Sequence, residues 1–293
     1  MKKTAIVTFL GLFLLTGFLI GQEGDSKIEV THLKGVLYRL SYGRGVYTTN
    51  MLASVGEDGI LLVDTGQKEE AINLKQTLIN EWESLPKIII NTHEHVDHTG
   101  GNSIFENEPL IIGHSKLREN LLGTAYAFDD FPESVLPKLC FQDSLSIYFN
   151  GEEIRLFSAP GAHTNNDIVV WFTKTNVAYI GDLAYKQNFP SNSRYCARII
   201  EFPSVVEKLI STLPKDIHIV AGHYDDLTWM EMVDFGEVIS EVITRIENEF
   251  EKGVSATEMI ASNILADWEH WGEGYVSADG FITSLVLQLE NPE

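Results

Sequence analysis

The chain has 293 residues, which is long enough for one large α/β domain, because folds of that class often reach about 250 residues in a single unit. Its hydrophobic fraction of 44% and aromatic fraction of 10% are typical of a globular protein and exclude an extended disordered chain. The net charge of −21 argues against a nucleic-acid partner, since a phosphate backbone repels such a surface.

The first residues have the composition of an export signal. Two lysines at positions 2 and 3 precede a mostly apolar run over 5–20, and polar residues follow from Gln22. The run has 16 residues, short of the roughly 20 that a membrane-spanning helix needs. We therefore predict a signal peptide over 1–22 and a single domain over 23–293, secreted or periplasmic and not inserted in the membrane after cleavage. An uncleaved anchor is the alternative, and the oligomeric state stays open.

The spacing of apolar residues and turn signals predicts alternating blocks of strands and helices. In chain order they are strands over 28–33, 36–41, 48–55 and 60–63, a helix over 68–82, strands over 87–90 and 110–113, a helix over 115–122, hairpins over 145–158 and 168–180, a helix over 204–213, a strand over 217–221, and helices over 228–250, 256–266 and 278–289. The helix over 68–82 has six apolar positions at helical spacing and is expected to pack on the sheet. The helical extension over about 228–293 is expected to cover an outer sheet face.

Two features leave alternatives open. The segment over 123–137 holds aromatic residues and two prolines without a clear period, so it is either a lid or a packed loop. Cys140 and Cys196 are the two cysteines, and they form either one disulfide or two separate thiols.

The most informative stretch lies where the strand over 87–90 enters a loop. It holds His93, Glu94, His95, Asp97 and His98 within six residues. In an extended segment His93 and His95 point the same way, whereas Asp97 and His98 follow a change of direction and face a second point. Imidazole and carboxylate suit zinc and its neighbours, so this loop predicts a metal site that can serve two ions.

This loop, His-x-His-x-Asp-His followed by Thr-Gly-Gly-Asn, resembles the signature of the metallo-β-lactamase superfamily, a group of mostly binuclear metallohydrolases. The resemblance implies a four-layer αββα sandwich and three further ligands near strand ends, and the chain has His163, Asp182 and His223 in the family's order. It implies the following sets: His93, His95 and His163 for one zinc, Asp97, His98 and His223 for the other, and Asp182 bridging both.

The same resemblance implies an exported hydrolase that acts on a small ester, thioester, lactone or amide. Its cofactors would be two zinc ions, or manganese or iron, with a hydroxide between them as nucleophile. Asp97 would orient that hydroxide or carry its proton, and Asp64 would orient a histidine ligand from beneath the loop. Family members that open β-lactams typically lack a bridging aspartate, so Asp182 predicts weak or absent β-lactamase activity.

Two other functions share this fold or this site. An iron-dependent persulfide dioxygenase would use fewer ligands and would not need His98, so the intact His98 and His223 favour hydrolysis. A non-catalytic metal-binding or ligand-binding protein would be expected to lack ligands, and the chain has all seven.

Residues after the last two ligands predict a pocket wall for a small, partly apolar substrate, because aromatic rings bring apolar area with few rotatable bonds. The aromatic candidates are Tyr185, Phe189, Tyr195, Tyr224 and Trp229, of which at least two are expected to pack under the C-terminal helices. The cations Lys186, Arg194 and Arg198 would favour a substrate carboxylate. The other histidines are predicted to be structural or surface residues: His32, His114, His218 and His270. Thr164 and Asp167 either bond the loop backbone, the role that we predict, or tune the site.

Overall fold

The structure is a computed structural model that describes residues 27–43, 45–105, 109–122, 132–191 and 197–291. Two β-sheets stack face to face and helices cover their outer faces, so the predicted αββα sandwich is confirmed. The strands are β1 (Glu29–Lys34), β2 (Leu37–Tyr42), β3 (Thr49–Gly56), β4 (Gly59–Val63), β5 (Pro86–Ile90), β6 (Leu110–His114), β7 (Leu139–Phe141), β8 (Ser144–Phe149), β9 (Glu152–Ser158), β10 (Ile168–Phe172), β11 (Val177–Tyr179), β12 (His218–Val220) and β13 (Leu227–Thr228). The helices are α1 (Lys68–Trp82), α2 (Val96–Thr99), α3 (Ser115–Leu122), α4 (Phe202–Thr212), α5 (Trp229–Glu251), α6 (Ala256–Ala261) and α7 (Ala278–Glu290).

The first sheet contains β1 to β7 in sequence order. Its first four strands form an antiparallel meander, and β4, β5, β6 and β7 run parallel. The second sheet has the order β13, β12, β11, β10, β9 and β8, with β11 and β12 parallel. The two-residue β13 and the three-residue β7 are too short to show a period, which is why the sequence did not predict them.

The side chains of β3 alternate between the two faces of the first sheet and so contribute to two core layers. Leu52 faces the core between the sheets with Val63 and Ile90, whereas Met51 and Ala53 face the outer core beneath α1. Successive side chains of a strand point to opposite faces, so β3 is buried on both sides and its sequence is largely apolar.

Helix α1 has the predicted bounds but buries a narrower stripe than expected. Ala71, Leu74 and Leu78 are fully buried, whereas Ile72 is 57% exposed and Ile79 is 40% exposed. Each isoleucine follows a sheet-facing position by one residue, about 100° further round the helix, which carries it to the solvent side. The prediction that this helix packs on the sheet is therefore confirmed, but fewer of its apolar positions than the six in the sequence take part.

Both predicted hairpins are confirmed. The turn between β8 and β9 places Asn150 at φ 53° and Gly151 at φ 70°, the left-handed pair that a two-residue hairpin favours. The turn between β10 and β11 contains Asn176 at φ 58°. Asparagine tolerates this conformation better than most residues, which explains its use at both turns.

The C-terminal helices cover the outer face of the second sheet, as expected, and form the largest apolar cluster with α4. The predicted helix over 256–266 ends earlier, because α6 stops at Ala261 and a 3-10 helix (Ala266–Glu273) follows. Trp268 and Trp271 of this 3-10 helix are buried and belong to the core, whereas Tyr275 is exposed.

Several expectations fall outside the described residues. These are the export signal over 1–22, most of the candidate lid over 123–137, Arg194, Tyr195 and Cys196. Cys140 is exposed and has a free thiol. In the part of the chain that the structure describes, no helix is both long and apolar enough to cross a membrane.

Candidate metal centre

Strand direction brings all the predicted metal ligands to one edge of the sandwich. Strand β5 runs directly into the histidine-rich loop, and β9, β11 and β12 share one direction in the second sheet. His163 follows β9, Asp182 follows β11 and His223 follows β12. Backbone bonds join the sheets here, including one of 3.0 Å from Ile168 N to Thr92 O. The carboxyl ends of strands are therefore where the side chains from distant parts of the chain meet.

The first group of candidate ligands is a tripod of imidazoles. His163 Nε2 lies 3.2 Å from His93 Nε2 and 2.9 Å from His95 Nδ1, and the last two atoms lie 3.1 Å apart. Zinc–nitrogen bonds of about 2.0–2.1 Å in a tetrahedral arrangement place neighbouring nitrogens about 3.3 Å apart. The spacing is therefore close to that of a zinc coordination shell.

The second group is formed by Asp97, His98 and His223. His223 Nε2 lies 3.2 Å from Asp97 Oδ2 and 3.4 Å from His98 Nε2. His98 is fully buried, whereas Asp97 and His223 are partly exposed. This half of the centre therefore faces solvent more than the tripod does.

Asp182 lies between the two groups and is buried. Its Oδ2 is 3.4 Å from His163 Nε2 and 3.3 Å from His223 Nε2, while its Oδ1 is 3.6 Å from His98 Nε2. Among the described residues, no side chain or backbone group forms a hydrogen bond with Oδ1. A buried carboxylate oxygen without such a partner is expected where a cation completes the site.

The pKa values of the ligands also suit a cation. Burial lowers the pKa of His163 to about 3 and that of His93 well below its usual value, so both rings are neutral and direct lone pairs at a common point. Burial opposes charging of His98 and His223, but carboxylates led by Asp182 outweigh it and raise the pKa of His223 to about 10. Converging lone pairs and carboxylates repel one another unless positive charge lies between them, so the residues fit divalent metal ions.

The second ring nitrogen of each of four ligands has an oxygen partner. His98 Nδ1 donates to Asp64 Oδ2 at 2.8 Å, as expected for the residue predicted to orient a ligand from beneath the loop. The remaining contacts join His163 Nδ1 to Ser191 O at 2.9 Å, His223 Nδ1 to Thr48 O at 2.7 Å, and His93 Nδ1 to Thr92 Oγ1 at 3.1 Å. Such contacts fix which nitrogen faces the metal.

The geometry predicts the effect of Asp64→Asn. An amide nitrogen introduced opposite His98 Nδ1–H would set two donors against each other and favour the tautomer with its proton on Nε2, the nitrogen that faces the centre. We expect zinc affinity to fall about 10–100-fold, measured by competition with a chromogenic chelator. The matched control is Asp226→Asn, since Asp226 pairs with His218 Nε2 at 2.7 Å away from the centre. If Asp64→Asn binds zinc with the same affinity as wild type, Asp64 does not orient His98 for metal binding.

A buried network around Glu94 was not predicted. Glu94 lies between two tripod histidines and accepts hydrogen bonds from Asn166 Nδ2 and, at 3.3 Å, from Asn120 Nδ2. Asp167 Oδ2 accepts from Thr164 N at 2.6 Å, which confirms the predicted loop-bonding role of these two residues. The only signal available in the sequence was an acid placed between two ligands.

The structure separates the predicted pocket aromatics. Tyr185 is buried near the centre, with its ring 6.4 Å from that of His223. Burial and then the charge of Asp182 raise the pKa of its phenol, so it keeps its proton. Phe189 instead stacks on Phe281 at 4.9 Å and is 1% exposed. Its place in the predicted pocket is therefore corrected, and it is one of the aromatics that pack under the C-terminal helices.

Lys186 and Tyr224 line a cavity of about 760 Å³ beside the loop of His223. Lys186 Nζ lies 2.7 Å from Glu231 Oε1, so its charge already has a partner. Arg198 forms a 4.0 Å pair with Glu201, and Arg194 lies outside the described residues. The predicted substrate carboxylate therefore has no free cation at Lys186.

The remaining histidines stay apart from the centre, as predicted. His32 Nε2 contacts Gly35 O at 3.0 Å, and His114 Nε2 contacts Gln142 O at 3.0 Å. His218 pairs with Asp226, and His270 lines the cavity beside Tyr224. In the part of the chain that the structure describes, the two ligand groups at the sandwich edge are the only clusters whose geometry could hold a metal ion.

Comparisons with known proteins agree with this geometry. Residues 44–235 match the model of the metallo-beta-lactamase superfamily. A metallo-beta-lactamase type 2 of Elizabethkingia meningoseptica is 25% identical over 232 residues, covering 76% of this chain and 88% of the relative. An N-acyl homoserine lactonase of Bacillus cereus is 26% identical over 198 residues, covering 58% and 78%. A solved metallo-beta-lactamase from Pontibacter korlensis has the same fold, with a TM-score of 0.64 at 17% identity and coverage of 73% and 99%.

Proposed function

Because the chain belongs to the metallo-β-lactamase superfamily and is a metal-dependent hydrolase, we propose that it uses two zinc ions to cleave a small ester, thioester, lactone or amide. The observation that carries this proposal is the pair of ligand groups that meet at Asp182. His93, His95 and His163 would hold one ion, and Asp97, His98 and His223 the other. Manganese or iron would fit the same oxygen and nitrogen donors.

The metal ions would supply Lewis-acid chemistry, because zinc lowers the pKa of bound water to about 7 and polarises a carbonyl oxygen. The side chains provide position and proton transfer. Burial raises the pKa of Asp97, but the imidazoles of His98 and His223 outweigh it and hold that pKa below its usual range. Asp97 Oδ2 is therefore an ionised, partly exposed acceptor at the solvent side of the centre. Tyr185 keeps its proton and can donate a hydrogen bond beside Asp182.

Two observations support esters and lactones over β-lactams. Asp182 occupies the position where family members that open β-lactams typically have a different residue, and it lies within 3.6 Å of nitrogens from both groups. One curated relative is an N-acyl homoserine lactonase, although two others are β-lactamases. The participation of His98 in the second group also favours hydrolysis over persulfide oxidation, for which that histidine is not needed.

A substrate panel tests this proposal. The zinc-loaded protein would be given a nitrophenyl ester, an N-acyl homoserine lactone, a thioester and a chromogenic cephalosporin. We expect kcat/KM for at least one ester, lactone or thioester to exceed that for the cephalosporin by about 100-fold or more, a difference of about 2.7 kcal/mol in transition-state binding. Cleavage of the cephalosporin alone would contradict the proposal. Oxygen uptake with glutathione persulfide would support the dioxygenase, and two bound zinc ions with no turnover would support a binding protein.

We also propose export, with cleavage near residue 22 and one domain over 23–293. The support is the basic, apolar and polar succession over 1–25, in which the apolar run has 16 residues. The mass of the mature protein recovered from its producing cells tests this, and an intact residue 1 would contradict cleavage.

A further inference from the structure

The loop that carries His223 is tightly confined on its metal side. A Cβ atom on Gly222 would lie 2.3 Å from Asp182 Oδ1 and 2.8 Å from His98 Cε1, so only glycine fits between the two ligands. Tyr224, on the other side of His223, has φ 61°, which is rare for a residue with a side chain. An unfavourable backbone conformation of this kind persists only where surrounding contacts hold it.

Asn50 of β3 supplies such contacts from the opposite side. Its side chain is fully buried, and Nδ2 donates to Ala221 O at 3.0 Å and to Tyr224 O at 2.9 Å. Its backbone N donates to Gly222 O at 2.7 Å. The amide group therefore binds the carbonyls of residues 221 and 224, on both sides of the ligand, and the backbone binds the carbonyl between them.

The orientation of the Asn50 amide is set by its own environment. Ser41 Oγ donates to Asn50 Oδ1 at 2.7 Å, so the oxygen has a partner and both amide hydrogens face the loop. A flipped amide would place Oδ1 against two carbonyl oxygens and leave two buried acceptors without a donor. Asn50 O also accepts from Tyr179 OH at 2.7 Å, which fixes the backbone of β3 at this position.

We propose that Asn50 is a positioning residue that holds His223 in place for the second metal ion, an inference that rests on the proposed two-metal function. Asn50 does not touch the candidate ligands through its side chain and acts through the loop backbone. Two residues before Asn50, the backbone O of Thr48 accepts from His223 Nδ1 at 2.7 Å. The start of β3 and the residue before it therefore set both the path of the loop and the orientation of the His223 ring. Positions of this kind modulate metal affinity through the ligands they orient.

The test is Asn50→Asp, which keeps the shape of the side chain and replaces two donors by an acceptor. We expect one of the two zinc ions to dissociate into a chelator about 10–100-fold faster than from wild type, while the other ion keeps its wild-type rate. In imidazole ¹⁵N NMR spectra of the same samples, we expect the His223 Nδ1–H signal to lose its slow exchange with water.

The matched control is Asn150→Asp. Asn150 Nδ2 also donates two hydrogen bonds, to Ser54 Oγ at 3.0 Å and Gly59 O at 3.1 Å, at the far end of the sheets from the metal edge. We expect this variant to lose stability without a change in zinc release or in the His223 signal. If both variants release zinc alike and show the same His223 signal, the role of Asn50 is structural only and the inference is wrong.

Two further measurements keep the inference falsifiable. Should Asn50→Asp fail to fold, the second variant is Ser41→Ala, which removes the hydroxyl that orients the Asn50 amide. We expect it to lower the affinity for the same zinc ion about threefold to tenfold, and to change the His223 NMR signal in the same direction as Asn50→Asp. Unchanged zinc release and an unchanged His223 signal in Ser41→Ala would then contradict the inference. A wild-type protein that binds fewer than two ions would overturn the proposed function, whereas the His223 exchange signal would still decide the role of Asn50.

Discussion

Replacing Asp182 by asparagine is expected to lower kcat/KM by about 10³-fold or more and to reduce the metal content of the purified protein together with activity. Asp182 carries the carboxylate that faces imidazoles of both ligand groups. Burial raises its pKa, but His223, His98 and His163 outweigh burial and hold it well below the usual value, so the group is ionised. The asparagine keeps the shape and removes the charge that would offset the two proposed cations.

The shape has to be kept because the space around Asp182 is closed. The position of Gly222 leaves no room for a longer side chain, so glutamate would introduce a clash in addition to any change in charge. Asp226→Asn, away from the centre, serves as the control for the chemical change alone. An Asp182→Asn protein with two metal ions and wild-type activity would exclude a bridging role.

Removing the metal ions is expected to abolish activity and, for two ions, to lower the melting temperature by about 10–20 °C. An ion whose free concentration is about 100 times its dissociation constant stabilises the folded protein by about 2.7 kcal/mol. Each 1 kcal/mol shifts the melting temperature of a domain of this size by about 2–4 °C. The centre contains two neutral imidazoles, and Asp182 Oδ1 has no hydrogen-bond partner among the described residues, so these groups would lose their common partner on chelation. The measurement is thermal unfolding before and after dialysis against a chelator, followed by addition of zinc.

Recovery of activity on addition of zinc distinguishes this effect from damage to the fold. Manganese and iron salts, added to separate samples, identify which metal supports turnover best. Full activity after complete removal of the metal would contradict a metal-dependent hydrolase. An unchanged melting temperature would show that the protonated histidines alone balance the carboxylates of the centre.

The spacing within residues 93–98 predicted a metal site, and the family resemblance implied the three further ligands, which occupy strand ends. His93 and His95 lie two residues apart in an extended segment, and His163, Asp182 and His223 each follow a strand of the second sheet. Chemistry and topology therefore both restrict these positions, and the structure brings all seven side chains into two groups.

The surroundings of the centre could not be predicted in the same way, because partners there come from distant parts of the chain. Asn50 lies 171 residues from Ala221, and an asparagine within an apolar strand was its only signal. Phe189 and Lys186 follow the ligand Asp182 closely, yet one joins the core and the other pairs with Glu231. Local pattern indicates that a residue is aromatic or charged and near a loop, but tertiary packing decides what it contacts.

The most direct test of the two-metal hydrolase is the metal content of the protein as purified, measured per chain by elemental analysis. The proposed function predicts a total of about two ions of zinc, manganese or iron, and the two ligand groups that meet at Asp182 are the structural basis for that number. A total of one ion per chain or fewer, in protein that is folded and active, would contradict it.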